Sequence, residues 1–148
     1  MSDAAFQLGY LIADLRRVYA RVFDRAAAPY GLTHVQWRLL KQLQGSEGLT
    51  QAALAEAMVM EPIAVGRVLD RLQKAGFVQR RADPGDRRCW RLHLDPASGP
   101  VIEAVDAIAC QLREHSLHGT RAQDLEQVMQ VLGLLRDNLS RLDQSQRG

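Results

Sequence analysis

Between Glu61 and Leu94 the hydrophobic period of this chain changes from that of a helix to that of a strand, and that change constrains the fold more than any other feature. Val65, Val68, Leu69 and Leu72 recur on one helical face, while Ile63, Arg67, Asp70, Arg71 and Lys74 fall on the other. Pro62 suits a first helical turn, where its missing N–H costs nothing, and Gly76 suits the position just past a helix end. Then the period becomes two. Phe77–Arg81 and Cys89–Leu94 alternate, with Trp90, Leu92 and Leu94 sharing a face, and Asp83-Pro84-Gly85-Asp86 between them is a turn signal. The connection from Ala82 to Arg88 is longer than a tight hairpin needs, so it projects as a charged tip.

Charge is concentrated on the same stretch. Residues 61–94 carry eight Lys and Arg against four Asp and Glu, whereas residues 95–148 carry five against eight. A basic helix beside a basic projecting hairpin is the electrostatic footprint of a phosphate-facing surface, and its layout is that of a winged helix-turn-helix. A merely solvated basic face is the blander reading. The placement of the charge on the projecting elements argues against it.

The rest of the chain reads as helices. From Phe6 to about Ala28, residues Leu8, Leu11, Ile12, Leu15, Val18, Tyr19, Val22 and Phe23 keep helical spacing through more than four turns. Pro29-Tyr30-Gly31 ends this helix. Thr33 caps a second one, running to about Gln44, whose inner side includes Val35, Leu39, Leu40 and Leu43. Thr50 caps a third, Gln51–Met58, kept slim by Ala52, Ala53, Ala55 and Ala57, so the next helix crosses it closely after the turn Val59-Met60-Glu61. Asp95-Pro96-Ala97-Ser98-Gly99-Pro100 breaks the pattern. A fifth helix follows with Val101, Ile102, Val105, Ile108, Ala109 and Leu112 inward, and a sixth starts near Arg121 with Leu125, Val128, Met129, Leu132, Leu135, Leu139 and Leu142 in register. Asp143 to Gly148 reads as a frayed polar tail.

The fold class expected is therefore mainly α, an α+β winged helix-turn-helix of six helices plus a two- to three-stranded wing. The 148 residues form a single domain. Residues 33–95 are its winged helix-turn-helix region, and residues 5–30 and 100–143 are dimerisation helices. Their apolar stripes exceed what a winged domain of that size covers, so a homodimer is favoured over a monomeric bundle, and two-fold proteins read palindromic half-sites. No apolar run approaches the roughly 20 residues of a membrane span, and the first residues lack the pattern of a secretion signal, so a cytoplasmic protein without membrane partners is expected. Cys89 and Cys110 have neither disulfide nor zinc spacing, and no metal or cofactor is expected.

Residue chemistry assigns roles within the basic stretch. Arg67 lies in the first half of the reading helix and points outward, where an arginine makes a bidentate contact to guanine O6 and N7; pairing with Asp70 or Asp14 is the competing reading. Pro62, Ile63 and Ala64 begin the same helix, and Ile63 and Ala64 are available for thymine methyl contact. Arg71 and Lys74 hold phosphates. Thr50 and Gln51 place a side chain or N–H on another. In the wing one of Arg87 and Arg88 pairs with Asp86, and the other enters the minor groove.

The runs Arg67-Val68-Leu69-Asp70-Arg71-Leu72, Ala75-Gly76-Phe77-Val78 and Arg80-Arg81 resemble the MarR family of transcriptional regulators, within it the SlyA-like branch. Asp83-Pro84-Gly85-Asp86-Arg87-Arg88 followed by Trp90-Arg91-Leu92-His93-Leu94 carries most of that resemblance, and Gly31-Leu32-Thr33 before the second helix agrees with it. The chain departs from the family at Leu94-Asp95-Pro96, which leaves the start of the fifth helix open. The resemblance implies a homodimeric regulator of double-stranded DNA acting on palindromic operators, with affinity modulated by a small aromatic carboxylate or phenolic ligand. It assigns Arg87 to the minor groove and Arg88 to the pair with Asp86. For the ligand it nominates Arg16, Tyr19, His34, Trp37 and Arg38, although Tyr19 and Trp37 at apolar spacing also read as core.

Two other classes compete with this one. A winged-helix protein-interaction module without specific DNA binding would not need Arg67, Arg87 and Arg88 all exposed. An enzyme is not indicated: the chain has no Gly-rich phosphate loop and no nucleophile elbow, and His34, His93, His115 and His118 are scattered. Cys89, beside Arg87 and Arg88, is the one cysteine with any prospect of a redox role.

Overall fold

The computed structural model describes residues 3–147, which form six helices and one two-stranded antiparallel sheet. The chain divides into two units, the first ending at Leu112 and the second beginning at Arg113. No helix among the described residues is long and apolar enough to cross a membrane.

In the first unit α1 spans Asp3–Ala27, α2 His34–Gly45, α3 Gln51–Met58 and α4 Pro62–Lys74. Their starts are set locally. Thr33 and Gln36 form a reciprocal capping box on α2, and the Thr50 hydroxyl accepts from Ala53 N at 3.2 Å on α3. The turn between α3 and α4 rests on Val59, whose φ of 54° lies in the left-handed region. A β-branched residue adopts it only under strain, and this side chain is 78% exposed. Gln51 holds the crossing: its Nε2 donates to Pro62 O at 3.0 Å, and a Cβ at Gly66 would stand 2.9 Å from that nitrogen. Gly76, with φ of 81°, turns the chain out of α4.

The wing follows as β1 (Val78–Ala82) and β2 (Trp90–Leu94), paired from Val78 with Leu94 to Ala82 with Trp90. A single bridge from Leu49 to Leu92 extends the sheet, so the third strand amounts to one residue. The common face carries Val78, Leu92 and Leu94 into or against the core, but Trp90 at the tip end is 54% exposed.

The core joins Phe23 and Ala27 of α1, Leu39, Leu40 and Leu43 of α2, Leu54 of α3, and Val65, Leu69 and Leu72 of α4. Each valine, leucine or phenylalanine so buried contributes about 1.5–3 kcal/mol. Asp95 caps a short 3-10 turn, Pro96–Ser98, and α5 then runs Gly99–Ser116 and adds Ile102, Val105 and Ala109 to the same core. The Leu94-Asp95-Pro96 departure thus supplies a cap and leaves the helix intact. Only the last turns of α1 reach the core; Leu11, Ile12, Leu15, Val18 and Val22 are exposed.

The second unit holds the end of α5 and α6, Ala122–Arg147. Val128, Met129, Val131, Leu132, Leu134, Leu139 and Leu142 are exposed along α6. The expected frayed tail is corrected here: residues 143–147 continue the helix, whose last turns contain no Gly or Pro to stop it and include a Ser145 hydroxyl donating to Leu142 O at 2.7 Å. Gly148 lies outside the described residues.

Candidate nucleic-acid interface

The helical period of α4 separates a buried face from an exposed one that carries Ile63, Arg67, Arg71 and Lys74, with Pro62 at its start and Ala64 half-buried beside it. Ile63 is 73% exposed. An apolar side chain left in water at the N-terminal end of a helix, one turn before an arginine, suits the floor of a major groove better than a protein interior.

Eight cations lie in the stretch from α4 through the wing; Arg81 of β1 donates to Gln79 Oε1 at 3.1 Å, and the other seven divide by partner. Arg80 of β1 reaches back to α4, donating to Asp70 Oδ1 at 2.7 Å and to Gln73 Oε1 at 2.5 Å. Arg91 of β2 donates to Asp83 Oδ2 at 2.5 Å and to Gly48 O at 3.2 Å. Both are ties within the fold. The side chains of Arg67, Arg71, Lys74, Arg87 and Arg88 are exposed and make no ion pair with the described residues. Asp70, the competitor considered for Arg67, is taken by Arg80; Asp14 pairs with Arg17 at 3.7 Å.

The wing differs from expectation in one respect. No guanidinium among the described residues pairs with Asp86: its Oδ1 accepts from the backbone N of Arg88 at 3.0 Å, a local turn bond that needs no side chain. Asp83 does the work assigned to it, accepting from Gly85 N at 2.7 Å and Asp86 N at 3.2 Å as well as from Arg91. The Arg91 guanidinium, helped by the Gly85 N–H, holds the Asp83 carboxyl below the usual carboxylate range. Arg87 and Arg88 are consequently both open to solvent.

Thr50 and Gln51 are also more committed than their sequence position suggests, since their side chains cap α3 and brace α4. They line a hollow of about 260 Å³ between the start of α3 and the wing, together with Arg80, Arg88 and Trp90. Cys89 is half-buried in the same lining. The exposure of Trp90 beside Arg88 was not legible from alternation, which places it on the core face.

A second hollow, open and of about 530 Å³, is lined by Tyr19, His34, Trp37 and Arg38, four of the five ligand candidates. Arg16 is not in its lining: three residues earlier on α1, it stands about 4.5 Å further along the axis. Lys41, Gln42 and Met58 complete the lining and were missed, although Lys41 lies one turn beyond Trp37 on the same helix. His34 sits among rings, with centroids 4.9 Å from Phe23, 5.1 Å from Tyr19 and 6.0 Å from Trp37. Its backbone N donates to Asp24 Oδ1 at 2.6 Å, which fixes the start of α2 against α1.

Burial pushes the His34 imidazole below its ordinary value of 6.5; Arg38 adds to the effect and Asp24 opposes it. Between the folded and the unfolded pKa the unfolded chain binds more protons, so stability rises with pH through that window. Lowering the pH from 6.5 should therefore destabilise the protein until the folded pKa is passed, and the loss should then level off. His34→Gln should remove that part of the dependence. Urea unfolding midpoints of both proteins across this range, compared as a difference, check it.

Comparison with known proteins agrees with this geometry. The model of the MarR family matches residues 32–90. A probable transcriptional regulator from Pseudomonas aeruginosa is 30% identical, covering 87% of this chain and 96% of its own, with a TM-score of 0.80. A MarR family transcription regulator is 25% identical over 96% of this chain and 94% of its own, with a TM-score of 0.81. A mutant MarR from E. coli, complexed with operator DNA, shares the fold with a TM-score of 0.81 at 22% identity, over 86% of this chain and 92% of that one. With its winged fold, its six helices and these relatives, the chain belongs to the MarR family of transcriptional regulators.

Proposed function

We propose that this regulator acts as a homodimer that binds palindromic operators in double-stranded DNA and releases them on binding a small aromatic carboxylate or phenolic ligand. The observation that carries the DNA reading is the division of cations. Arg80 and Arg91 are spent on internal carboxylates, whereas Arg67, Arg71 and Lys74 on α4 and Arg87 and Arg88 on the wing tip are left exposed without one. The operator complex of the E. coli relative supports the same reading. Arg67 reads a base, Ile63 and Ala64 meet thymine methyls, Arg71 and Lys74 hold phosphates, and the wing arginines serve the minor groove. The backbone at Thr50 and Gln51 offers a further phosphate contact.

The ligand reading rests on the second hollow, which offers the cations Arg38 and Lys41 beside the rings of Tyr19, His34 and Trp37. Cation and ring together suit an anion on an aromatic body. The dimer reading rests on the exposed leucines and valines of α1 and α6.

Selection from random duplexes should return an inverted repeat, and binding to it should weaken steeply with salt. Each phosphate contact contributes a slope of about −0.9 in log affinity against log salt. Arg71→Ala and Lys74→Ala should each reduce that slope by about 1 and weaken binding equally across sequences. An unchanged slope in both variants removes these side chains from the phosphates, and failure to select any duplex removes the DNA reading.

A further inference from the structure

The two polar groups that Trp37 and Lys41 bring to the ligand hollow already have a partner. Asp106 of α5 accepts from Trp37 Nε1 at 2.7 Å through Oδ1 and from Lys41 Nζ at 2.7 Å through Oδ2. One carboxylate thus engages both from a helix 65 residues away. Trp37 has a single N–H, so its polar edge is fully used and only its ring faces remain. Lys41 has three N–H donors; a second goes to Gln44 Oε1 at 2.6 Å, leaving one.

From this geometry we infer that Asp106 is an internal competitor for anions: a ligand carboxylate in the hollow must share Lys41 with it. The inference rests on the ligand reading above and adds what sets the affinity and where binding is felt. A second negative charge near Lys41 is attracted by the ammonium but repelled by Asp106, so the resident carboxylate holds anion affinity down. Reciprocally, an anion that draws on Lys41 weakens the link from α2 to α5, because coupling between two sites is mutual. Arg38, exposed on the same lining, has no such carboxylate partner among the described residues. It supplies the first attraction. Lys41 supplies the part that Asp106 regulates.

The discriminating substitution is Asp106→Asn, which keeps the shape but removes the charge; its single carbonyl oxygen replaces one of the two acceptors, so it accepts from Trp37 or from Lys41 while its NH2 takes the other position. Calorimetric titration of the full chain with benzoate, and with the neutral isostere benzamide, separates electrostatics from shape. Benzoate should bind Asp106→Asn about fivefold more tightly than the unsubstituted protein, a modest gain because the Lys41–Asp106 pair is partly exposed. Benzamide should bind both alike. Lys41→Met should reduce the preference for benzoate over benzamide to the part that Arg38 supplies, which keeps the inference testable if Asp106→Asn does not fold. Equal or weaker benzoate binding to Asp106→Asn overturns it, as does an equal gain for benzamide or an undiminished preference in Lys41→Met. Benzoate binding to none of the proteins overturns the ligand reading as well.

Discussion

Leu15→Glu combined with Leu139→Glu should convert the protein to a monomer and lower its operator affinity by about a hundredfold or more. Leu15 of α1 is 60% exposed and Leu139 of α6 is 65% exposed, so neither substitution opens a hole in the core described above. Each lies in a run of exposed apolar side chains along its own helix. A leucine covered by a partner is worth about 1.5–3 kcal/mol, whereas a glutamate buried there without a counter-ion costs more than the leucine contributed. The effect on DNA comes from linkage. A dimer that holds one half-site presents its second reading head at high local concentration to the other, one helical turn or roughly 34–36 Å away; a monomer has no such second contact. Light scattering should show the halved mass, circular dichroism an unchanged helix content, and anisotropy the lost operator affinity. A variant that remains dimeric, or that binds the operator undiminished, would place the interface elsewhere or make it unnecessary.

What was legible in the sequence was local. Thr33, Thr50 and Gly76 mark helix ends because capping involves residues at most five apart, and the face of α4 follows from a period that burial imposes. Arg67 could be placed on the exposed face for the same reason. The resemblance carried the family and the location of the hollow. Partners far apart in sequence were not legible. Asp106 meets Trp37 and Lys41 only because α5 packs into the core beside α2, and nothing in the spacing of 65 and 69 residues announces it. The wing failed differently. Asp86 and Arg88 are close enough to pair, but at two residues' separation the backbone N–H of Arg88 reaches the carboxylate first, and Asp83 takes the guanidinium of Arg91 across the hairpin. Acidic residues in tight turns bond their own backbone before they bond side chains. The polar end of α6 shows that polarity is not fraying: Gln144, Gln146 and Arg147 are good helix formers, and no Gly or Pro interrupts them.

Arg67→Ala should weaken binding to the selected operator by about 1–3 kcal/mol, roughly five- to a hundredfold, and should relax the preference at a single base pair in each half-site. The case is one of geometry and of competition already settled. Arg67 sits on the second turn of α4, exposed, and the carboxylate three residues further on, Asp70, is held by Arg80 at 2.7 Å. The guanidinium therefore need not leave an ion pair to reach a base, and the cost that often cancels a charged contact is small here. Arg67→Lys separates the two things an arginine supplies. Lysine keeps the charge, so the salt dependence should persist, but it lacks the planar fork that matches guanine O6 and N7, so discrimination at that pair should fall nearly as far as in alanine. Arg71→Ala should behave in the opposite way, losing affinity on every duplex and discrimination on none. Anisotropy titrations against the selected operator and against duplexes changed at each base pair distinguish these patterns. If Arg67→Ala weakens all duplexes equally, Arg67 is a phosphate contact and base reading passes to the start of α4, where Ile63 and Ala64 offer only methyl contacts and a correspondingly looser code.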